Sequence, residues 1–61
     1  MWIMNRSHDL LNTEWIAVIT TRPNGETVAV FKDGSKITID GQDRLSDIAA
    51  VVSRGDNYWE V

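Results

Sequence analysis

The sequence predicts an α+β fold, an antiparallel β-meander of three to five strands with one C-terminal helix packed on one face. Two observations lead to this prediction. Segment 20–39, TTRPNGETVAVFKDGSKITI, places two strong turn signals between β-branched runs, which is typical of consecutive hairpins. Segment 43–55, DRLSDIAAVVSRG, has apolar residues at helical spacing and is the one convincing helix of the chain.

The first turn, Pro23-Asn24-Gly25, predicts a three-residue hairpin loop. Proline suits the first central position of a type I turn, and the glycine can take the left-handed conformation that follows it. The register that results pairs Arg22 with Glu26, then Thr21 with Thr27, Thr20 with Val28, Ile19 with Ala29, Val18 with Val30 and Ala17 with Phe31. These pairs are chemically reasonable because opposite charges and threonines face each other.

The second turn, Asp33-Gly34, predicts a two-residue type I′ loop. That register pairs Phe31 with Lys36 and Val30 with Ile37. Since side chains alternate along each strand, the two hairpins together define two faces. One face is expected to hold Ile16, Val18, Val28, Val30, Ile37 and Ile39. The other is expected to hold Trp15, Ala17, Ile19, Ala29 and Phe31.

The helix is expected to begin after Asp43, a candidate N-cap, and to end at Gly55. Its predicted apolar stripe consists of Leu45, Ile48, Ala49 and Val52. A helix is about 10 Å across and four strands span nearly 20 Å, so one helix covers one face of the sheet. The aliphatic face matches the stripe better, which leaves the face of Trp15 and Phe31 without cover.

An uncovered apolar face predicts self-association. The chain of 61 residues forms one small domain, 1–61, without cysteine and with one histidine, and small domains commonly need a disulfide, a metal or a second copy for stability. We therefore expect a homodimer. Its interface is predicted to contain Trp15, Ala17, Ile19, Ala29, Phe31 and, from the tail NYWEV, Trp59. The alternative is an SH3-like small barrel, in which MWIM and NYWEV close the sheet and turn the aromatic residues inward.

Composition argues against several classes of function. The net charge is −3 and the six basic residues are scattered, whereas nucleic-acid binding needs a concentrated basic surface. No apolar run reaches the roughly 20 residues of a membrane span, and no signal peptide is recognised, so a cytoplasmic location is expected. The string Ser7-His8-Asp9 is interpreted as a polar turn. No catalytic residue, cofactor or metal site is predicted.

Two resemblances add to this interpretation. The opening MWI, the segment LLNTEWIAVI, a strand, DG, another strand and a helix resemble a family of small Firmicute and phage proteins, over Met1 to about Val52. That family implies a meander with a helix and brings no assigned activity. The residues Arg6-Ser7, Leu11-Asn12, Ile16, Ile19 and DGSKITI are similar to part of a LytTR-type DNA-binding domain.

The function predicted from the sequence is a small, non-enzymatic, self-associating module that binds another protein through an aromatic sheet face or a free strand edge. The LytTR-like resemblance implies the alternative, a small DNA-binding transcriptional regulator.

Overall fold

The computed structural model describes residues 1–61 and confirms an α+β fold with a β-meander and a single helix toward the C-terminal side. Its elements are β1 (Trp2–Met4), β2 (Leu10–Asn12), a 3-10 helix (Thr13–Trp15), β3 (Ile16–Thr21), β4 (Thr27–Phe31), β5 (Lys36–Asp40), α1 (Leu45–Arg54) and β6 (Tyr58–Glu60). The strands form two three-stranded sheets. We call β3-β4-β5 the meander sheet and β2-β1-β6 the small sheet.

The first hairpin has the predicted register through most of its length. Thr21 pairs with Thr27, and the pairing continues without a shift to Val18 and Val30. Ala17 lies at a bulge, where the register shifts, so it does not pair with Phe31 as predicted. The proline-containing loop therefore fixes the alignment of β3 and β4 from local chemistry alone.

The predicted two-residue loop of the second hairpin is wrong. Phe31 N–H donates to Ser35 O at 2.8 Å, and Gly34 N–H donates to Phe31 O at 2.9 Å, which closes a three-residue loop. Gly34 has φ +90°, the left-handed conformation that such a loop needs at its last position. The register of β4 and β5 consequently shifts by one residue, and Ala29 pairs with Ile37.

This shift reverses the predicted assignment of the faces, because a slip of one residue turns every side chain of a strand to the opposite face. Ile37 and Ile39 lie on the same face as Ala29, and this is the inner face of the meander sheet. The expected uncovered face is thus wrong in its central part. The outer face instead carries Val18, Val30 and polar side chains, and its one fully buried residue is Val28, flanked by Thr20 and Thr38.

The second layer of the fold is the small sheet, which joins both ends of the described chain. β1 pairs antiparallel with β2 and parallel with β6, so the expected strand in the tail NYWEV is confirmed. The five buried residues that form the common core come from both sheets and the helix: Ile3, Leu11, Ala29, Ile39 and Ile48. Comparing the widths of the helix and the sheet did not predict this layer, because three-residue strands give almost no periodic signal in a sequence.

The helix ends at Gly55 as predicted, but its N-cap is Arg44, one residue after the predicted Asp43, and its buried stripe differs. Asp43 Oδ1 accepts the N–H of Leu45 at 3.0 Å, and Gly55 ends the helix with φ 73°. The helix contacts β3 and β6 and buries Ile48 and Val51. The predicted stripe members Ala49 and Val52 are exposed, because the helix contacts one edge strand of each sheet instead of covering a sheet face.

The two sheets remain separate and do not form the single closed barrel of the alternative prediction. They are joined along one side, where Arg6 N–H donates to Ile39 O at 2.8 Å and the Asn5 amide donates to Thr38 O at 3.0 Å. The described chain contains no helix with the length and apolar character needed to cross a bilayer.

Candidate functional site

The structure separates the residues predicted to form the interface. Ala29 is completely buried, and Ile19, Phe31 and Trp59 are half-buried side chains packed against the core. The other two members, Trp15 and Ala17, are exposed. The predicted set is therefore not one continuous surface, because the shifted register places Ile37 and Ile39 beside Ala29 and this face packs against the small sheet.

Trp15 is the most exposed large apolar side chain, at 65%. It lies in the 3-10 helix before β3, and together with Phe31 and Lys32 it lines a shallow pocket of about 570 Å³. The pocket also contains Asp33, whose carboxylate accepts the hydroxyl and the N–H of Ser35 at 2.6 and 2.9 Å. These hydrogen bonds lower the pKa of Asp33, so the carboxylate is ionised and serves to hold the turn.

The outer face of the small sheet forms an exposed apolar surface that sequence reasoning did not identify. Trp2, Leu10 and Tyr58 are 44%, 52% and 46% exposed. Trp2 lies next to Tyr58 in the β1–β6 ladder, and Met4 lies opposite Leu10 in the β1–β2 ladder. We call these four residues, Trp2, Met4, Leu10 and Tyr58, the aromatic face. Contiguous exposed apolar surface of this kind is uncommon and marks an interaction site.

The aromatic face carries little charge. Glu60 is its one carboxylate, and it accepts the Tyr58 hydroxyl at 2.8 Å. This hydrogen bond raises the pKa of Tyr58, which keeps the phenol neutral. Apart from Glu60, the face presents no charge that an apolar partner would have to remove from water.

A sequence signal for the aromatic face exists but is weak. The strands WIM, LLN and YWE each bury their central residue, which is Ile3, Leu11 or Trp59, more than at least one of its neighbours. Alternation over three residues gives only one period. Since WIM is apolar at every position, its pattern does not say which face is inside.

The most buried ionic group is Asp40, whose side chain is 4% exposed. Its carboxylate accepts Nε of Arg44 at 2.6 Å and Nε of Arg6 at 3.3 Å. These two guanidinium groups, Arg44 first, lower the pKa of Asp40 to about 2. The cluster joins β5, the β1–β2 connection and the start of α1, so its role is structural.

The arginines are held in ion pairs with carboxylates. Besides Arg6 and Arg44, Arg22 lies 3.6 Å from Glu26. Arg54 lies 2.9 Å from Asp56, so the ends of the string Arg54-Gly55-Asp56 are bonded to each other. The described residues contain no group of three or more histidine, aspartate or glutamate side chains arranged to hold a metal ion.

The fold and these surfaces define a small α+β protein with two three-stranded sheets, one helix and an exposed apolar sheet face. Comparison of the chain with protein-family models, curated proteins and solved structures gives no match. The resemblances to small Firmicute and phage proteins and to LytTR-type domains therefore stay predictions.

Proposed function

We propose that this chain is a small, non-enzymatic interaction module that self-associates and binds another protein through the aromatic face. The observation that carries the proposal is the exposure of three large apolar side chains, Trp2, Leu10 and Tyr58, on one side of one sheet. Trp and Tyr are the residue types most enriched among the energetically dominant residues of protein interfaces.

The chemistry of the partner follows from that of the face. A surface of two aromatic rings and two aliphatic side chains, whose one carboxylate is already hydrogen-bonded, favours a protein with an apolar patch of similar size. A phosphate or another anion would lose its hydration there without gaining an opposite charge. The aromatic face therefore suits a small apolar surface on another protein better than it suits an ion or a phosphate.

The proposal that the chain is not an enzyme rests on the two carboxyl groups whose pKa values are shifted. Asp40 and Asp33 have lowered pKa values, whereas a general acid or base works best with a pKa near the operating pH. Each of the two is also occupied by hydrogen bonds that hold the fold. The DNA-binding alternative is further weakened because each arginine lies beside a carboxylate, whose negative charge opposes the approach of a phosphate.

The aromatic face can be tested with one variant and a matched control. Leu10→Lys adds a charge to the aromatic face, and Thr38→Lys adds the same charge to the exposed outer face of the meander sheet. Proteins cross-linked to the wild-type chain in cells should be purified and titrated against all three forms by calorimetry. We expect Leu10→Lys to lose binding and Thr38→Lys to keep it. Equal binding by both variants would refute this site.

A further inference from the structure

Strand β3 is the longest strand of the fold and has one unpaired edge. It lies at the end of the meander sheet and pairs with β4 alone. Arg22 N–H donates to Glu26 O, so the alternation of an antiparallel ladder directs the backbone groups of Ile19 and Thr21 away from β4. No backbone hydrogen bond outside the sheet ladders involves either residue.

This edge has few of the features that prevent strand pairing. Its sequence, IAVITT, contains no charge and no proline, whereas natural edges are commonly protected by lysine, proline, bulges or a covering element. The one bulge is at Ala17, toward one end. Beside the edge, a groove of about 560 Å³ lies between Ile16–Ile19 and the helix side chain Val52, so the helix does not fill the space next to this edge.

We propose that β3 pairs antiparallel with β3 of a second copy about a two-fold axis, with Val18 opposite Val18 of the other chain. The proposal rests on the self-association proposed above and names its interface. It accounts for the exposure of Val18, 52%, which lies at the centre of the strand. The product is a continuous six-stranded sheet through both copies.

The charges at the two ends of β3 indicate that the strand that pairs with its free edge belongs to a second copy of this chain. Glu14 precedes the uncharged strand and Arg22 follows it, so the two ends of the edge carry opposite charges. Antiparallel pairing centred on Val18 brings Arg22 of each copy near Glu14 of the other. Parallel pairing would place like charges together, and a neutral peptide would leave Glu14 without an opposite charge at the new interface, whereas Arg22 already has Glu26 of its own chain at 3.6 Å.

The register follows from backbone geometry. In an antiparallel pair, a residue whose backbone N–H and C=O point toward the other strand lies opposite a residue that does the same. A two-fold axis between two β3 strands must therefore pass between a residue and the same residue of the other copy. Val18 directs its backbone toward β4, which makes this a non-hydrogen-bonded pair with Cα atoms about 4.5 Å apart. That separation lies within the range that a disulfide bond can span, about 4.4–6.8 Å.

Cysteine cross-linking tests this register directly, because the chain has no cysteine of its own. Val18→Cys and the control Thr38→Cys, on the same outer face but on β5, are oxidised at high micromolar concentration. On a denaturing, non-reducing gel we expect Val18→Cys to run as a disulfide-linked dimer and Thr38→Cys to run as a single chain, although it still associates without a covalent link. Equal cross-linking of the two variants, or none in either, overturns the β3 interface.

Light scattering of the wild-type chain separates this inference from the proposed function. If the wild-type chain is a dimer but Val18→Cys does not cross-link, the proposed self-association stands and β3 is not its interface. If the wild-type chain is a monomer at high micromolar concentration, both the proposed self-association and the β3 interface are refuted. Val18→Lys provides a second measurement: we expect a folded monomer with the wild-type circular dichroism spectrum, whereas Thr38→Lys stays dimeric. A Val18→Lys dimer as tight as that of the wild type also overturns the inference.

Discussion

The Nε atom of Arg44 lies 2.6 Å from Oδ2 of Asp40 and joins the end of the meander to the start of the helix. The other carboxylate oxygen of Asp40 accepts Nε of Arg6 at 3.3 Å, which adds the β1–β2 connection to the same group. Three segments distant in sequence thus meet at one nearly buried carboxylate. Its ionisation state is therefore linked to the stability of the whole fold.

This link predicts a loss of stability in acid. The pKa of Asp40 is about 2 in the folded chain, below the ordinary value of 3.8, so the unfolded chain binds the proton first. The stabilisation is complete above about pH 4 and is lost as the pH falls toward about 2. Urea unfolding between pH 2 and 7 should show a falling midpoint in this window. Asp40→Asn should show a smaller fall, and parallel curves for both proteins would contradict the assignment.

The common core predicts a large difference between two substitutions of similar size. Ile39→Ala, at a completely buried position, should lower the free energy of unfolding by about 2–5 kcal/mol. Leu10→Ala, on the exposed aromatic face, should cost about 1 kcal/mol or less, since the side chain keeps much of its contact with water. Chemical denaturation measures both values, and similar costs would place Ile39 outside the core.

The three-residue loop of the second hairpin predicts a position-specific effect of alanine. Gly34→Ala forces a side chain into the left-handed region at φ +90° and should cost roughly 1–2 kcal/mol. Gly41→Ala serves as the control because Gly41 does not have a positive φ and has open space around it. Thermal melting of both variants measures the two losses of stability. A loss at Gly41 that equals the loss at Gly34 would be inconsistent with the loop described here.

The buried side chain of Asn5 predicts a strong effect of losing its hydrogen bonds. Its amide donates to Thr38 O at 3.0 Å, and its Oδ1 accepts the N–H of Asp9 at 2.7 Å. Asn5→Ala leaves these partners unsatisfied and should cost about 2 kcal/mol, within the range of about 1–3 kcal/mol for such a group. Asn24→Ala, in an exposed turn, should cost less because water replaces the amide. Urea titration distinguishes the two.

Part of the fold follows from local chemistry and is visible in the sequence. The loop Pro23–Gly25 fixed the alignment of Thr21 with Thr27 and of Val18 with Val30. Gly55 marked the C-terminal end of the helix, and Asp43 lies one residue before its N-cap, Arg44. Each of these features depends on residues close together in the chain, so their backbone preferences suffice to predict them.

The candidate sites were predicted less completely. Trp15 was singled out in the sequence and is exposed, and the free strand edge was anticipated. Trp2 was not among the predicted interface residues, yet it lies on the aromatic face, next to Tyr58 in the parallel pairing of β1 with β6, with Ile3 directed inward. That pairing joins residues from opposite ends of the chain and has no local signature.

The sequence by itself determined the kinds of elements, the first hairpin register and the C-terminal end of the helix, because these depend on the conformational preferences of neighbouring residues. Tertiary structure decided the second hairpin register and the buried side of the helix. Both registers of Asp33-Gly34 give the strands apolar faces, and burial of Ile37 and Ile39 against the small sheet selects between them. A choice between two locally acceptable alignments is made by the layer that covers them.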